Sequence, residues 1–150
     1  MKNKIHTPND GGTIKAITIW QPWASLIVHG FKKVETRGWA TRHRGNLFIH
    51  AAKKPIKETE RIYQVNRKSI EQRLNKELET LPYGSIIGKV NVADCVEITP
   101  DFVRTLAAGE LDCGDYTYGR YAWILKDPIV FKNPIHAKGM QGLWNYQGGE

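Results

Sequence analysis

The order of predicted strands and helices constrains the fold of this chain more than any other feature. Segments rich in β-branched and aromatic residues, most of them beside a glycine or proline, predict strands at residues 14–19, 33–37, 46–51, 85–98, 121–125 and 128–131. Residues 54–81 are strongly charged, and Ile70, Leu74, Leu78 and Leu81 recur there at helical spacing. We therefore expect an α+β domain with a helical insertion at about residues 54–81, formed by two helices with a break near Asn66.

Single residues of special backbone chemistry mark the shorter elements. One short helix is expected over residues 23–28, and another over residues 102–108, where Thr99 would cap the helix and Pro100 would take its first position. Gly88 interrupts the longest predicted strand. A glycine there indicates a β-bulge or the close approach of another backbone.

Length and cysteine content limit the class of protein. A chain of 150 residues suits one domain, and the first 13 residues, mostly polar with a glycine pair, predict a flexible tail before a domain at residues 14–146. Cys95 and Cys113 belong to no ligand-spaced cluster, so neither a disulfide framework nor a metal site is expected. We find no apolar run of roughly 20 residues and no secretory signal. The expectation is a cytoplasmic protein without a membrane partner and without a cofactor.

The charge balance favours anionic partners. The formal net charge is +7 and the pI is about 9.5, which is typical of proteins that bind nucleic acid or phosphate. The alternative is that the chain is basic without a specific partner, as many small proteins are.

Two tryptophans flank a glutamine and a proline in the segment Trp20-Gln21-Pro22-Trp23. Indole faces stack on nucleobases, with a contribution of roughly 1–3 kcal/mol per base. The Gln21 amide has both a donor and an acceptor with which to read a base edge. Trp23 and Gln21 are therefore candidate ligand-binding residues, and the alternative is that both tryptophans belong to the core.

Three charged residues, Lys32, Glu35 and Arg37, lie on or just before the second predicted strand. Because strand side chains alternate, Glu35 and Arg37 point the same way. Arginine binds phosphate or a base edge through two hydrogen bonds, and glutamate accepts from an exocyclic amine. The alternative is a surface ion pair of little energetic consequence.

His50 and Trp144 complete the candidate ligand-binding set. His50 is a polar residue near the end of an apolar strand, a position that suits either a ligand contact or a hydrogen-bonded structural residue. Trp144 follows Gly142 closely, so it would either pack over a ligand or close the fold at the C-terminal end.

These segments together resemble the ASCH domain family, named for activating signal cointegrator 1 homology. The resemblance rests on Trp20 to Leu26, on a Gly-x-Lys-x-x-Glu-x-Arg pattern met by Gly30, Lys32, Glu35 and Arg37, and on Arg44-Gly45 followed by Ile49 to Ala52. It implies a PUA-like mixed β-barrel with peripheral helices. It also implies that the partner is RNA, single-stranded nucleic acid or a nucleotide, in RNA metabolism or transcription-related regulation.

An enzyme is the alternative to a binding module. Some small members of the family are similar to amidohydrolases that deacylate N4-acetylcytidine, and they carry a threonine where this chain has Glu35. If this chain is such an amidohydrolase, or a nuclease acting on RNA, Lys32 would act as the base and Glu35 would shuttle the proton. The sequence leaves open the ligand, its sequence preference, the oligomeric state and the pathway.

Overall fold

The computed structural model describes residues 13–54 and 61–148, with the side chains of residues 61–66 left out of the description. The elements in chain order are β1 (Thr13–Ile19), α1 (Trp23–Val28), β2 (Val34–Arg37), β3 (Gly45–Ala51), α2 (Arg61–Leu74), a 3-10 turn (Leu78–Thr80), β4 (Ser85–Glu97), α3 (Pro100–Arg104), α4 (Ala108–Leu111), β5 (Tyr121–His136) and β6 (Leu143–Gln147). The first four predicted strands match β1 to β4 within one residue at each end. Thr13 begins β1, and the rest of the predicted tail lies outside the described residues.

The strands form one six-stranded sheet in the order β2-β5-β4-β3-β1-β6. β1 and β3 run parallel, and every other neighbouring pair is antiparallel. The mixed α+β class is as expected, but the paired strands do not close into a barrel. In the described ranges β2 pairs with β5 and β6 pairs with β1, and no ladder joins β2 to β1 or to β6, so the two ends of the sheet are not connected.

The long strands β4 and β5 pair with each other irregularly. The sequence predicted two strands at residues 121–125 and 128–131, whereas β5 is one strand from Tyr121 to His136. The ladder passes from Lys126 opposite Asn91 to Ile129 opposite Lys89, which leaves Asp127 and Pro128 outside the pairing. A proline cannot donate to a ladder, but a bulge takes it out of the pairing without ending the strand.

The segment from α2 to Leu81 packs against α1 through the apolar side chains that helical spacing had indicated. Ile70, Leu74, Leu78 and Leu81 are all buried and form one cluster with Leu26 of α1. The predicted break near Asn66 is wrong, because α2 runs continuously through that residue. Asparagine lowers helix stability by only a fraction of a kcal/mol relative to alanine, well below the roughly 3 kcal/mol cost of proline.

The helix predicted over residues 102–108 begins two residues earlier, at Pro100, and is shorter than expected. Thr99 is its cap, since Thr99 Oγ1 accepts from the Phe102 amide at 3.2 Å, and Pro100 takes the first position as predicted. The helix ends at Arg104, however, and Ala108 opens the separate helix α4. No helix in the described ranges is long and apolar enough to cross a membrane.

The main core lies between α1 and the sheet. Its buried members come from α1 and four strands, and they include Ile17, Ile27, Ile49, Ile87 and Trp123. Each such side chain contributes roughly 1.5–3 kcal/mol when fully buried. Gly88 of β4 is in close contact with this core, since a Cβ there would lie 2.2 Å from the Ile129 carbonyl oxygen and 2.8 Å from a Val28 methyl.

We predict that Gly88→Ala lowers the free energy of unfolding by at least about 1–3 kcal/mol, the usual range for overpacking a core. Backbone and a buried valine surround the new methyl group, so neither neighbour moves aside cheaply. Gly109→Ala in α4 is the matched control, because its Cβ would meet only the Arg73 guanidinium at 3.7 Å. Urea denaturation of both variants measures the difference. Equal stability of the two would contradict this packing.

Candidate functional site

A cleft of about 690 Å³ opens between β1 and β2. Its walls come from the end of β1 and the residues that follow, from the approach to β2 and β2 itself, and from the loop after α4. They are Thr18, Ile19, Trp20, Trp23, Lys32, Glu35, Thr36, Arg37, Asp112, Cys113, Gly114, Asp115 and Arg120. Four of the sequence-predicted site residues, Trp23, Lys32, Glu35 and Arg37, therefore share one cleft.

The cleft exists because β1 and β2 are joined by a side chain instead of a backbone ladder. Thr18 lies one residue beyond the last pair of β1 with β6, which is Ile17 with Leu143. From the β2 side, Arg37 Nη2 donates to the Thr18 carbonyl oxygen at 3.1 Å. The guanidinium thus spans the gap while leaving the space beside it open.

Glu35 is almost buried and keeps part of its hydrogen-bonding capacity free for a ligand. Its Oε1 accepts from the Thr36 amide at 2.9 Å, and its Oε2 lies 3.5 Å from Arg37 Nη2. A carboxylate has about four lone-pair sites. These two contacts hold the side chain at the wall of the cleft with acceptor capacity to spare.

Lys32 is the most deeply buried charged side chain of the cleft, with 2% of its surface exposed. Its Nζ donates to the Val34 carbonyl oxygen. A buried ammonium is costly unless it is hydrogen-bonded. One of its three donors has this partner in the chain, and an ammonium has two further donors to offer a polar ligand.

A second wall comes from residues 108–120, which sequence reasoning did not place at the site. The Glu110 carboxylate in α4 accepts from the amides of Lys33 and Val34 at 2.9–3.1 Å, which fixes this segment beside β2. Arg120 Nη2 donates to the Thr36 carbonyl oxygen at 3.4 Å from the other end of the segment. Such contacts join residues more than 75 positions apart, and no local pattern indicates them.

Burial changes the acidity of two groups on this wall. Burial and the negative charge of Glu110, followed by Cys113 and Glu35, raise the pKa of the Tyr116 hydroxyl well above its usual range. Burial also raises the pKa of the Cys113 thiol, and the positive charge of Lys32 offsets this shift in part. Both groups are therefore held in their protonated form at neutral pH. In the described ranges, no three His, Cys, Asp or Glu side chains lie close enough to hold a metal ion.

Gln21 is buried behind the cleft and is not among its lining residues. Its Oε1 accepts from the Ser25 amide at 2.9 Å, and its Nε2 donates to the Pro82 carbonyl oxygen at 2.8 Å. The side chain thus ties the first turn of α1 to the turn before β4. It positions Trp23, the first residue of α1, without facing the cleft.

His50 and Trp144 also lie outside the cleft, and they reach its edge through Thr18. Trp144 Nε1 donates to Thr18 Oγ1 at 3.1 Å, and Thr18 Oγ1 lies 3.2 Å from His50 Nδ1. His50 Nε2 lies 2.7 Å from the Ala137 carbonyl oxygen, which only accepts, so Nε2 carries the proton. Every group in this series of hydrogen bonds has a suitable partner when His50 is neutral and the Thr18 hydroxyl donates to His50 Nδ1.

The loop before β6 covers this hydrogen-bond chain. A Cβ at Gly139 would lie 2.7 Å from Thr18 Oγ1 and 2.8 Å from His50 Cε1. Burial lowers the pKa of His50, and the nearby His136 adds to that effect against the opposing hydrogen bond to Ala137. The hydrogen bonds and the lowered pKa therefore both favour the neutral form of His50 in this arrangement.

A family model of the ASCH domain matches residues 17–135, which includes all of β2 and the end of β1 that borders the cleft. The chain belongs to the ASCH domain family. It is 34% identical over 145 residues to activating signal cointegrator 1 of Homo sapiens and 33% identical to that of Mus musculus. Each match covers 90% of this chain and 22% of the relative, so the chain spans about a fifth of the length of these proteins.

The fold is similar to that of a solved member of the family. The crystal structure of ASCH from Zymomonas mobilis matches with a TM-score of 0.51 and 20% sequence identity. The match covers 81% of this chain and 72% of that one. The likeness supports the ASCH fold, and the chemistry of the cleft is argued from the residues of this chain.

We predict that this ASCH domain loses stability as the pH falls from about 7 to about 5. Burial lowers the pKa of both His50 and His29 in the folded state, so the unfolded chain takes up protons first as the pH falls through about 6.5. The stabilisation is complete above that pH and is lost as the pH falls toward the folded-state pKa values. Urea denaturation across this range measures the effect.

His50→Gln should reduce the pH dependence, whatever its effect on stability at neutral pH. His29→Gln should also reduce the pH dependence, and because it leaves the hydrogen bonds from Trp144 through Thr18 and His50 to Ala137 intact, it separates the contribution of His29 from that of His50. A pH dependence in His50→Gln equal to that of the parent chain would show that His50 is not held neutral by the fold.

Proposed function

We propose that this ASCH domain binds an unpaired base of RNA, of another single-stranded nucleic acid or of a free nucleotide in the cleft between β1 and β2. The observation that carries the proposal is the convergence of an aromatic face with buried charges of both signs in one cavity of about 690 Å³. Trp23 supplies the aromatic face, and Lys32 and Glu35 supply the charges. The ASCH family membership agrees with a role in RNA metabolism or transcription-related regulation.

Each residue type suits one part of a nucleotide. Trp23 is half-buried and Trp20 is half-exposed, so both can offer ring surface to a base. The free lone pairs of Glu35 suit an exocyclic amine such as that of cytosine or adenine. Lys32 and Arg37 suit carbonyl or phosphate oxygens.

The remaining sequence-predicted residues would affect ligand binding indirectly, by positioning residues that line the cleft. Gln21 would position Trp23 by holding the start of α1, since both polar ends of its amide bond to the chain. His50 and Trp144 would position Thr18, whose side-chain hydroxyl they both contact. Substitutions at these positions would act through the shape of the cleft.

An amidohydrolase acting on an N4-acylated cytidine, or a nuclease acting on RNA, is the second candidate. One observation favours it: Lys32 and Glu35 line the same cleft, and both are at least nine-tenths buried. Against it, the ion-pair partner of Glu35 among the described residues is Arg37, and Lys32 is bonded to the backbone. A proton shuttle between Lys32 and Glu35 would need a rearrangement of these contacts.

We predict that Trp23→Ala weakens the binding of all nucleotides and short oligonucleotides by a similar factor. One lost stack costs roughly 1–3 kcal/mol, and every base has a face that stacks. Trp39→Ala is the matched control, because Trp39 is 40% exposed, packs edge-on against Trp123 and does not line the cleft. Fluorescence anisotropy with labelled oligonucleotides measures both variants.

Trp23 also packs against the core, so the Trp23→Ala result is read only after circular dichroism shows a folded protein. Trp20→Ala removes the other cleft-lining indole from an exposed site and tests the same stack with less effect on folding. Unchanged binding in both variants would place the ligand elsewhere.

We predict that Glu35→Gln changes the ranking of bases more than the mean affinity. The substitution keeps the shape of the side chain and replaces a pure acceptor by one acceptor and one donor. Competition by the four nucleoside monophosphates gives the ranking. A ranking identical to that of the parent chain would remove Glu35 from base selection.

The Glu35→Gln variant also tests the second candidate function. An amidohydrolase would lose turnover of N4-acetylcytidine in Glu35→Gln and in Lys32→Ala while still binding this substrate.

A further inference from the structure

A second groove of about 650 Å³ lies on the other side of Thr18 from the cleft. Its charged and titratable lining side chains are Lys53, Lys54, Lys138, His136 and the buried His50. The three lysines and His136 are exposed. None of the described residues that line this basic groove is an aspartate or a glutamate.

The cleft and the basic groove differ in their charge. The cleft pairs three cations, Lys32, Arg37 and Arg120, with the three acids Glu35, Asp112 and Asp115. Its formal charge is therefore balanced, so the cleft offers less net attraction to a chain of phosphates than a cavity lined by cations alone. The basic groove has three formal positive charges from its lysines with no described acid among them, which suits an anionic chain.

The two cavities share a wall. Thr18 lines both of them. Trp20 lines the cleft and is 51% exposed, and the Lys54 ammonium of the basic groove lies 5.6 Å from the centre of the Trp20 ring. A chain leaving the cleft would cross exposed aromatic surface and then meet lysines, the arrangement by which proteins hold single strands without reading their sequence.

We propose that the basic groove holds the sugar–phosphate backbone of a single-stranded nucleic acid whose unpaired base occupies the cleft. The inference rests on the function proposed for the cleft, and it adds that the ligand is a strand of several nucleotides. The strand is single because Lys32 and Glu35 are buried at the cleft wall, and a base paired within a duplex cannot reach them. Lys54 and Lys138 contact phosphates next to the bound nucleotide.

The test compares Lys54→Gln/Lys138→Gln with the control Lys68→Gln/Lys126→Gln. All four lysines are exposed, both double variants lose the same net charge, and the control residues line neither the cleft nor the basic groove. The probes are fluorescein-labelled RNA hexamers of adenosine, cytidine or uridine, the corresponding DNA hexamers, and unlabelled nucleoside monophosphates as competitors. Each titration is run at several salt concentrations.

Lys54→Gln/Lys138→Gln should weaken hexamer binding by about 25-fold at 0.1 M salt, the effect of two lost phosphate contacts on a single strand. The slope of log affinity against log salt should fall by about 1.4 in the same variant. The control should bind hexamers within about twofold of the parent chain. The affinity for nucleoside monophosphates should stay unchanged in both variants, since their base enters the cleft without a chain to place in the basic groove.

Equal weakening in the two double variants would overturn the proposal, because any surface lysine would then serve. It would also be overturned by hexamer binding that depends on Trp20 and Trp23 but not on Lys54 and Lys138, and in that case the proposed base-binding role of the cleft would stand. Hexamer binding that depends on Lys54 and Lys138 but not on Trp20 and Trp23 would support the basic groove alone and reject the cleft. A parent chain that binds neither hexamers nor monophosphates would reject both.

Discussion

The hydrogen bond from Arg37 to the Thr18 carbonyl oxygen joins β2 to β1, two strands that no ladder connects in the described part of the chain, and the candidate site depends on it. A backbone ladder between β1 and β2 would bring the strands within about 5 Å of each other and leave no room between them. A guanidinium is long enough to bridge a wider gap, and it carries donors to spare for the Glu35 carboxylate on its own strand. The space beside this hydrogen bond therefore stays open as a cleft.

The local backbone stabilises the buried charges of this cleft. Lys32 bonds to the carbonyl two residues ahead, and Glu35 accepts from the amide of the next residue, so each charged group has a backbone partner within a stretch of five residues. The Glu110 carboxylate adds the contact that fixes this stretch from outside. Burying a charge without such partners costs several kcal/mol. Because the chain itself provides these contacts, the charged groups are already in place before any ligand binds.

Local patterns in the sequence predicted most of the elements and failed where long-range packing decided the outcome. The β-branched segments and the helical spacing of Ile70 to Leu81 gave four strands and the cluster under α2, because those signals depend on near neighbours. Lys32, Glu35 and Arg37 are close in sequence, so a strand alone brings them near one another. Contacts such as Glu110 with the amide of Val34 join distant residues, and nothing near either residue indicates them. The sequence suggested that the Gln21 amide was free to read a base edge. In the structure this amide donates to the Pro82 carbonyl oxygen, 61 positions away, and a contact at that separation leaves no local pattern.

The most direct measurement of the central claim is the response of the five indole N–H signals in a ¹H–¹⁵N NMR spectrum during titration with cytidine monophosphate. Binding in the cleft should shift the signals of Trp20 and Trp23 strongly, since both indoles line it. A smaller shift is expected for Trp144, whose indole N–H donates to Thr18. Trp39 and Trp123 lie outside the cleft and should not respond. Saturable shifts confined to Trp39 or Trp123, with Trp20 and Trp23 unchanged, would contradict the account.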